Sequence, residues 1–64
     1  MKLFRFEDKK NGIRYITEDN VYKIQKFYKK ACWEVVKVTG DGHRTLAHFK
    51  YFNEARKYLK ENYI

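Results

Sequence analysis

Proline is absent from this chain, glycine occurs only three times and cysteine once. The sequence therefore offers no low-complexity segment and no linker on which to divide it. Its few glycines form no phosphate-cradling loop: Gly40-Asp41-Gly42 lacks the surrounding motif and stands between two strand-like runs. With Cys32 alone there is no internal disulfide and no thiol metal cluster, and this residue is expected to act as a small buried apolar side chain. Long apolar runs are missing too. None approaches the roughly 20 residues of a membrane span, and Met1-Lys2-Leu3-Phe4-Arg5 does not look like a signal peptide, so a cytoplasmic protein without membrane contact is expected. Acids are scarce relative to bases, eight against fifteen, which leaves a net charge of +7.

What is present is enough to fold. Hydrophobic residues make up 44% of the chain and aromatic ones 19%, too much for a disordered segment. Sixty-four residues make one small domain, 1–64, and a chain of this size buries only about 60% of its unfolded surface, so its stability margin is narrow. The positive charge attracts nucleic acid, acidic proteins or anionic surfaces. It also serves colloidal solubility in a small domain with no polyanion partner at all.

Two turn signals organise the chain. Asn11-Gly12 separates Lys2–Phe6 from Ile13–Thr17, and Gly40-Asp41-Gly42 separates Cys32–Thr39 from His43–Phe49. A three-residue loop at the second turn sets Trp33 against Phe49 and Val35 against Ala47, giving one wholly apolar face. Glu34, Val36, Val38, Arg44, Leu46 and His48 then fall on the opposite face. Beyond Phe49 the apolar period lengthens. Phe52, Ala55, Tyr58, Leu59 and Tyr63 make one helical stripe, which predicts a helix over 52–62 lying on the Trp33, Val35, Ala47 and Phe49 face. Glu54 near its start and Lys60 near its end suit the helix dipole, while Tyr51 stands where a Ser or Thr cap is usual.

Residues 17–31 admit two readings. As a strand, Glu18-Asp19-Asn20 is a turn and Val21–Tyr28 is β-prone, with Tyr22 and Ile24 facing one way and Lys23 and Gln25 the other. As a helix, Thr17-Glu18-Asp19-Asn20 is an acidic start and Val21, Ile24, Tyr28 and Ala31 form the stripe. The strand reading is preferred. The fold class is then α+β: an antiparallel three- to four-stranded sheet with a C-terminal helix packed on one face. The alternative is a tandem ββα-ββα chain with residues 18–31 helical.

No constellation for catalysis stands out. His43 and His48 are five apart on a strand, which predicts opposite faces, and neither has a Cys or acid at ligand spacing, so no metal and no cofactor is expected. Glu7-Asp8 and Glu18-Asp19 are turn or cap material. The expectation is a binding protein, not an enzyme.

Trp33-x-Val35, the glycine turn and Phe49-x-x-Phe52-x-Glu54-Ala55-x-x-Tyr58-Leu59 resemble a pattern of short phage and mobile-element proteins with a β-meander and a C-terminal helix. Residues 21–62 are similar, more loosely, to the three-strand-plus-helix DNA-binding domains of phage integrase arms and plant ethylene-response factors. That resemblance implies a sheet face, opposite the helix, that enters the major groove, with Arg44, Lys23 and His48 in the reading positions.

Two partner classes follow. For nucleic acid, DNA or RNA, the candidate contacts are Lys23, Lys26, Lys29, Lys30, Lys37 and Arg44, which neutralise phosphates while sheet-face or ring residues read or stack on bases. For an acidic protein, such as a host factor, or for a second copy of the chain in a homodimer, the candidate surface is Val36, Val38, Leu46 and His48.

Overall fold

The computed structural model describes residues 2–63, leaving Met1 and Ile64 outside the description. Five strands and one helix follow in chain order: β1 (Leu3–Asp8), β2 (Gly12–Thr17), β3 (Tyr22–Lys26), β4 (Trp33–Thr39), β5 (Gly42–Phe49) and α1 (Phe52–Asn62). The strands pair in sequence order as an antiparallel meander. The α+β expectation holds, with five strands where three or four were expected. The tandem ββα alternative fails, because residues 18–31 form a turn, β3 and a loop.

Residues 17–20 show why the strand wins. Asn20 sits at φ 61, a left-handed conformation that ends any helical start, and its N–H donates to the Thr17 carbonyl at 2.9 Å. Thr17, 5% exposed, braces the turn. Its hydroxyl donates to Asp19 Oδ1 at 2.6 Å and accepts from the Tyr22 N–H at 3.1 Å. Asp19 Oδ1 also accepts from the Val21 N–H at 3.0 Å. The Thr17 hydroxyl first, and the Val21 amide next, hold the Asp19 carboxyl below its ordinary pKa. The amide of Lys10 does the same for Asp8 in the first turn, with Asn11 contributing.

A carboxyl depressed in the folded state stabilises the fold above its unfolded pKa, near 4, and that contribution disappears as pH falls through the folded value. The urea midpoint is therefore expected to decline as pH drops below about 4. The decline should be shallower in Asp19→Ala, which starts from a lower midpoint at neutral pH. Parallel wild-type and variant profiles would remove the Asp19 account.

The core lies between the sheet and α1. Ile24, Val35, Ala55 and Leu59 are fully buried, with Tyr15, Tyr22, Trp33, Phe49, Phe52 and Tyr58 packed around them. Phe52 packs between Tyr15, tilted at 4.4 Å between centroids, and Trp33, edge-to-face at 5.2 Å. The helix bounds and stripe are as expected. Tyr51 caps the helix start in extended conformation without a side-chain bond, and the Tyr63 N–H closes the other end on the Leu59 carbonyl at 3.0 Å.

The register of β4 and β5 is as expected at Trp33–Phe49 and Val35–Ala47, but a β-bulge follows. Val36 pairs with Thr45, so Leu46 is the extra residue, and the connection is the two-residue Gly40-Asp41 with Thr39 opposite Gly42. Leu46 accordingly packs against the core on the helix side, not on the open face. Arg44 pairs with Lys37 and shares its helix-side face. His43 takes the open face opposite Val38, so His43 and His48 point the same way, contrary to the five-apart expectation. One inserted residue accounts for all three corrections, because it reverses the alternation of every side chain beyond it.

Candidate nucleic-acid interface

The sheet face away from α1 is uncovered. Across it runs a row of residues in register, Phe6–Arg14–Gln25–Glu34–His48, and beside it a second, Phe4–Ile16–Lys23–Val36–Thr45. Val36, expected as an exposed contact residue, is only 1% exposed although no element lies over it. Its register neighbours on this face are Lys23 and Thr45, from the strands on either side. The same face carries a groove of about 430 Å³ lined by Phe6, Arg14, Lys23, Gln25, Phe27 and His43 among others.

Glu34 forms part of the groove wall and is 7% exposed. Its carboxylate accepts from the Thr45 hydroxyl at 3.3 Å and lies 3.6 Å from His48 Nε2 and 3.8 Å from Lys30 Nζ. A carboxylate this enclosed needs such partners. Lys30 and His48 remain more than half exposed, and the Lys30 contact ties the β3–β4 loop to the sheet.

Meander topology sorts the connections by end. The β1–β2, β3–β4 and β5–α1 connections share one end of the sheet, and they carry Lys9, Lys10, Lys29, Lys30 and Lys50 with no acid. The β2–β3 and β4–β5 connections at the other end carry Glu18, Asp19 and Asp41 with no base. The two β1 acids adjoining the basic end are already engaged. Asp8 accepts from the Lys10 amide at 2.8 Å and Asn11 Nδ2 at 3.0 Å. Glu7 accepts from Arg5 at 2.7 Å and from the Tyr28 hydroxyl at 3.2 Å. Partial desolvation, and then the bond to Glu7, raise the Tyr28 phenol above its ordinary pKa.

Aromatic rings with cations over them accompany these lysines. Arg14 lies 5.7 Å from the Phe6 ring, Lys30 5.5 Å from Phe27, Lys50 5.5 Å from Tyr51 and Lys26 5.9 Å from Trp33. Phe6, Tyr28 and Tyr51 remain 49%, 53% and 59% exposed.

The six cations expected as one nucleic-acid surface are divided. Lys29 and Lys30 belong to the basic end and Lys23 to the groove. Lys26 lies on the helix side by Trp33, and Lys37 and Arg44 sit on that side toward the β4–β5 turn. Val38 and His48 do face the open side. Sequence reasoning passed over Arg14, Lys9, Lys10, Lys50 and the exposed rings. The signal available was connection parity: in a meander, alternate turns share an end, so the lysine turns and the acidic turns separate as soon as the strands are counted.

No protein-family model matches this chain, and neither a curated protein nor a solved structure shows significant similarity to it. Among the described residues no helix is long and apolar enough to cross a membrane, and no group of three or more His, Cys, Asp or Glu side chains is placed to hold a metal ion.

Proposed function

We propose that this protein is a non-catalytic nucleic-acid-binding protein, which engages its ligand through the open sheet face and the lysine-bearing end that adjoins it. One observation carries the reading: the connections at one end of the sheet bring together five lysines and no acid, beside exposed aromatic rings. Lysines on exposed connections neutralise phosphates at little geometric cost, and the acidic turns at the far end orient the molecule by repulsion. A protein partner is less well served. Val36 is buried and Leu46 belongs to the core, which removes two of the three apolar residues from the surface expected for it.

The test is titration of labelled DNA and RNA at two ionic strengths. Binding is expected at about 50 mM salt, with a fall of several-fold or more by about 200 mM as condensed counterions compete. Absence of any binding at the lower salt would end this reading.

A further inference from the structure

We infer that the ligand is a single-stranded nucleic acid, whose bases stack on the exposed rings of the groove and basic end while the five lysines hold its phosphates. This rests on the nucleic-acid reading above and specifies its substrate class. Two features of the site set single strands apart from duplex.

The first is shape. Reading a duplex through its major groove takes a convex element, a helix or a two-stranded ribbon, that enters between the phosphate ridges. The open face of this sheet is the reverse. Val36, at its middle, is 1% exposed, and beside it lies a groove of about 430 Å³. A recess receives a base that has left its stack, and it cannot reach base edges inside a duplex.

The second is the rings. Phe6 and Tyr28 are about half exposed at the basic end: Phe6 lines the groove on the open face, and Tyr28 lies round the β1 edge, where its hydroxyl donates at 3.2 Å to Glu7 on the helix-side face. A half-exposed ring beside cations offers a flat apolar face with phosphate-binding charge next to it, and a cation already lies over Phe6. A duplex hides both faces of every base. A single strand offers them, and base–aromatic stacking tolerates any sequence because every base has a π-face. Arg14 moves from the Phe6 ring to a phosphate or to the outer face of the stacked base without crossing the sheet, since Phe6 and Arg14 are register partners. Gln25 and His43 supply hydrogen-bonding groups in the same groove.

The experiment is fluorescence anisotropy with end-labelled mixed-sequence DNA and RNA single strands of about ten nucleotides, a length within the usual range of single-strand sites. The blunt duplexes of the same sequences are titrated in parallel. Single strands should bind at least about tenfold more tightly than duplex. Phe6→Ala should weaken single-strand binding at least about fivefold with the salt slope unchanged, because stacking releases no counterions. Phe6→Tyr should retain most of the affinity, and Tyr28→Phe, which keeps the ring, should lose less than Tyr28→Ala. Thermal melts confirm that each variant is folded; Phe6 is on an edge strand and half exposed, so its loss leaves the core intact.

Equal affinity for duplex, or single-strand affinity indifferent to Phe6→Ala, overturns the single-strand assignment while leaving nucleic-acid binding in place. Failure of both strands and duplexes to bind at low salt removes the broader reading instead. Comparison of the DNA and RNA strands then shows which sugar the groove accepts.

Discussion

Replacing Gly12 with alanine is expected to destabilise this protein by about 3–5 kcal/mol, the largest effect among its three glycines. Gly12 opens β2 at φ +107, a backbone conformation that side chains avoid. A Cβ there would lie 2.1 Å from the Lys26 carbonyl oxygen and 3.0 Å from the Phe27 Cα. Both are main-chain atoms, of the last residue of β3 and of the residue that follows it, so no rotamer change relieves the clash. Either β2 tilts out of the sheet or the Ile13–Lys26 pairing opens. The strain alone amounts to about 1–3 kcal/mol, and a forced backbone shift adds a similar amount. A domain of this length has about 3–10 kcal/mol of total stability, so much of it is lost. Urea unfolding should show a midpoint lowered by about 3 M, or no folded baseline.

The other two glycines give the comparison that makes the result interpretable. Gly42, at φ +134, has open space around it, so Gly42→Ala meets conformational strain without a clash and should cost less. Gly40 has neither a positive φ nor a neighbour within 4 Å, and its alanine variant should be close to neutral. If Gly12→Ala and Gly40→Ala have similar midpoints, the close approach of β2 to β3 is not as described.

The three glycines also show how the sequence can be legible in outline yet misleading in detail. Asn11-Gly12 does mark a hairpin, but not as the centre of its turn. Lys9-Lys10-Asn11 make the connection and Gly12 pairs with Asp8, so β1 runs two residues further than the apolar pattern of Lys2–Phe6 implies. The charged Glu7 and Asp8 belong to the strand because pairing of an edge strand needs backbone groups and no apolar side chains. At the second hairpin both loop lengths contained part of the answer. The apolar pairs Trp33–Phe49 and Val35–Ala47 obey the three-residue register, the turn itself obeys the two-residue one, and the bulge at Leu46 reconciles them. Alternation carries no signal for a bulge when the inserted residue is itself apolar and finds a place in the core.

Helix α1 was easier to read for a simple reason. Its stripe of Phe52, Ala55, Tyr58 and Leu59 has a period that no strand can satisfy, and the sheet face it covers is apolar at the matching positions. In residues 18–31 the apolar positions fit a helix as well as a strand. The choice was made by Thr17, Asp19 and Asn20, whose mutual hydrogen bonds close a tight turn into β3. The burial of Val36 was out of reach of any local rule, because its neighbours on that face, Lys23 and Thr45, come from other strands.

Charge posed the same problem in another form. A net charge says nothing of where it sits, and grouping the cations by sequence proximity put Lys23, Lys26, Lys37 and Arg44 together although they occupy both faces. Location can be separated from amount by two variants of equal charge. In the first, Lys9, Lys10, Lys29, Lys30 and Lys50 become Gln. In the second, Lys37, Arg44, Arg56, Lys57 and Lys60, all exposed and away from the basic end, become Gln. Five positive charges leave in each case, so both proteins carry 7 − 5 = +2. The first variant should lose about a thousandfold or more in single-strand affinity at about 50 mM salt, and the slope of log K against log salt should become shallower by up to about 3.5, or about 0.7 for each phosphate contact removed. In the second, affinity should fall only modestly, through the weaker long-range field, with the slope nearly unchanged. Equal losses in the two variants would mean that the lysine end is no site and that the attraction belongs to the whole surface. Lys30 needs a check of its own, since its removal leaves the Glu34 carboxylate with Thr45 and His48 alone. If Lys30→Gln by itself lowers the melting temperature, the remaining four substitutions carry the comparison, and the slope change they should produce is about 2.8.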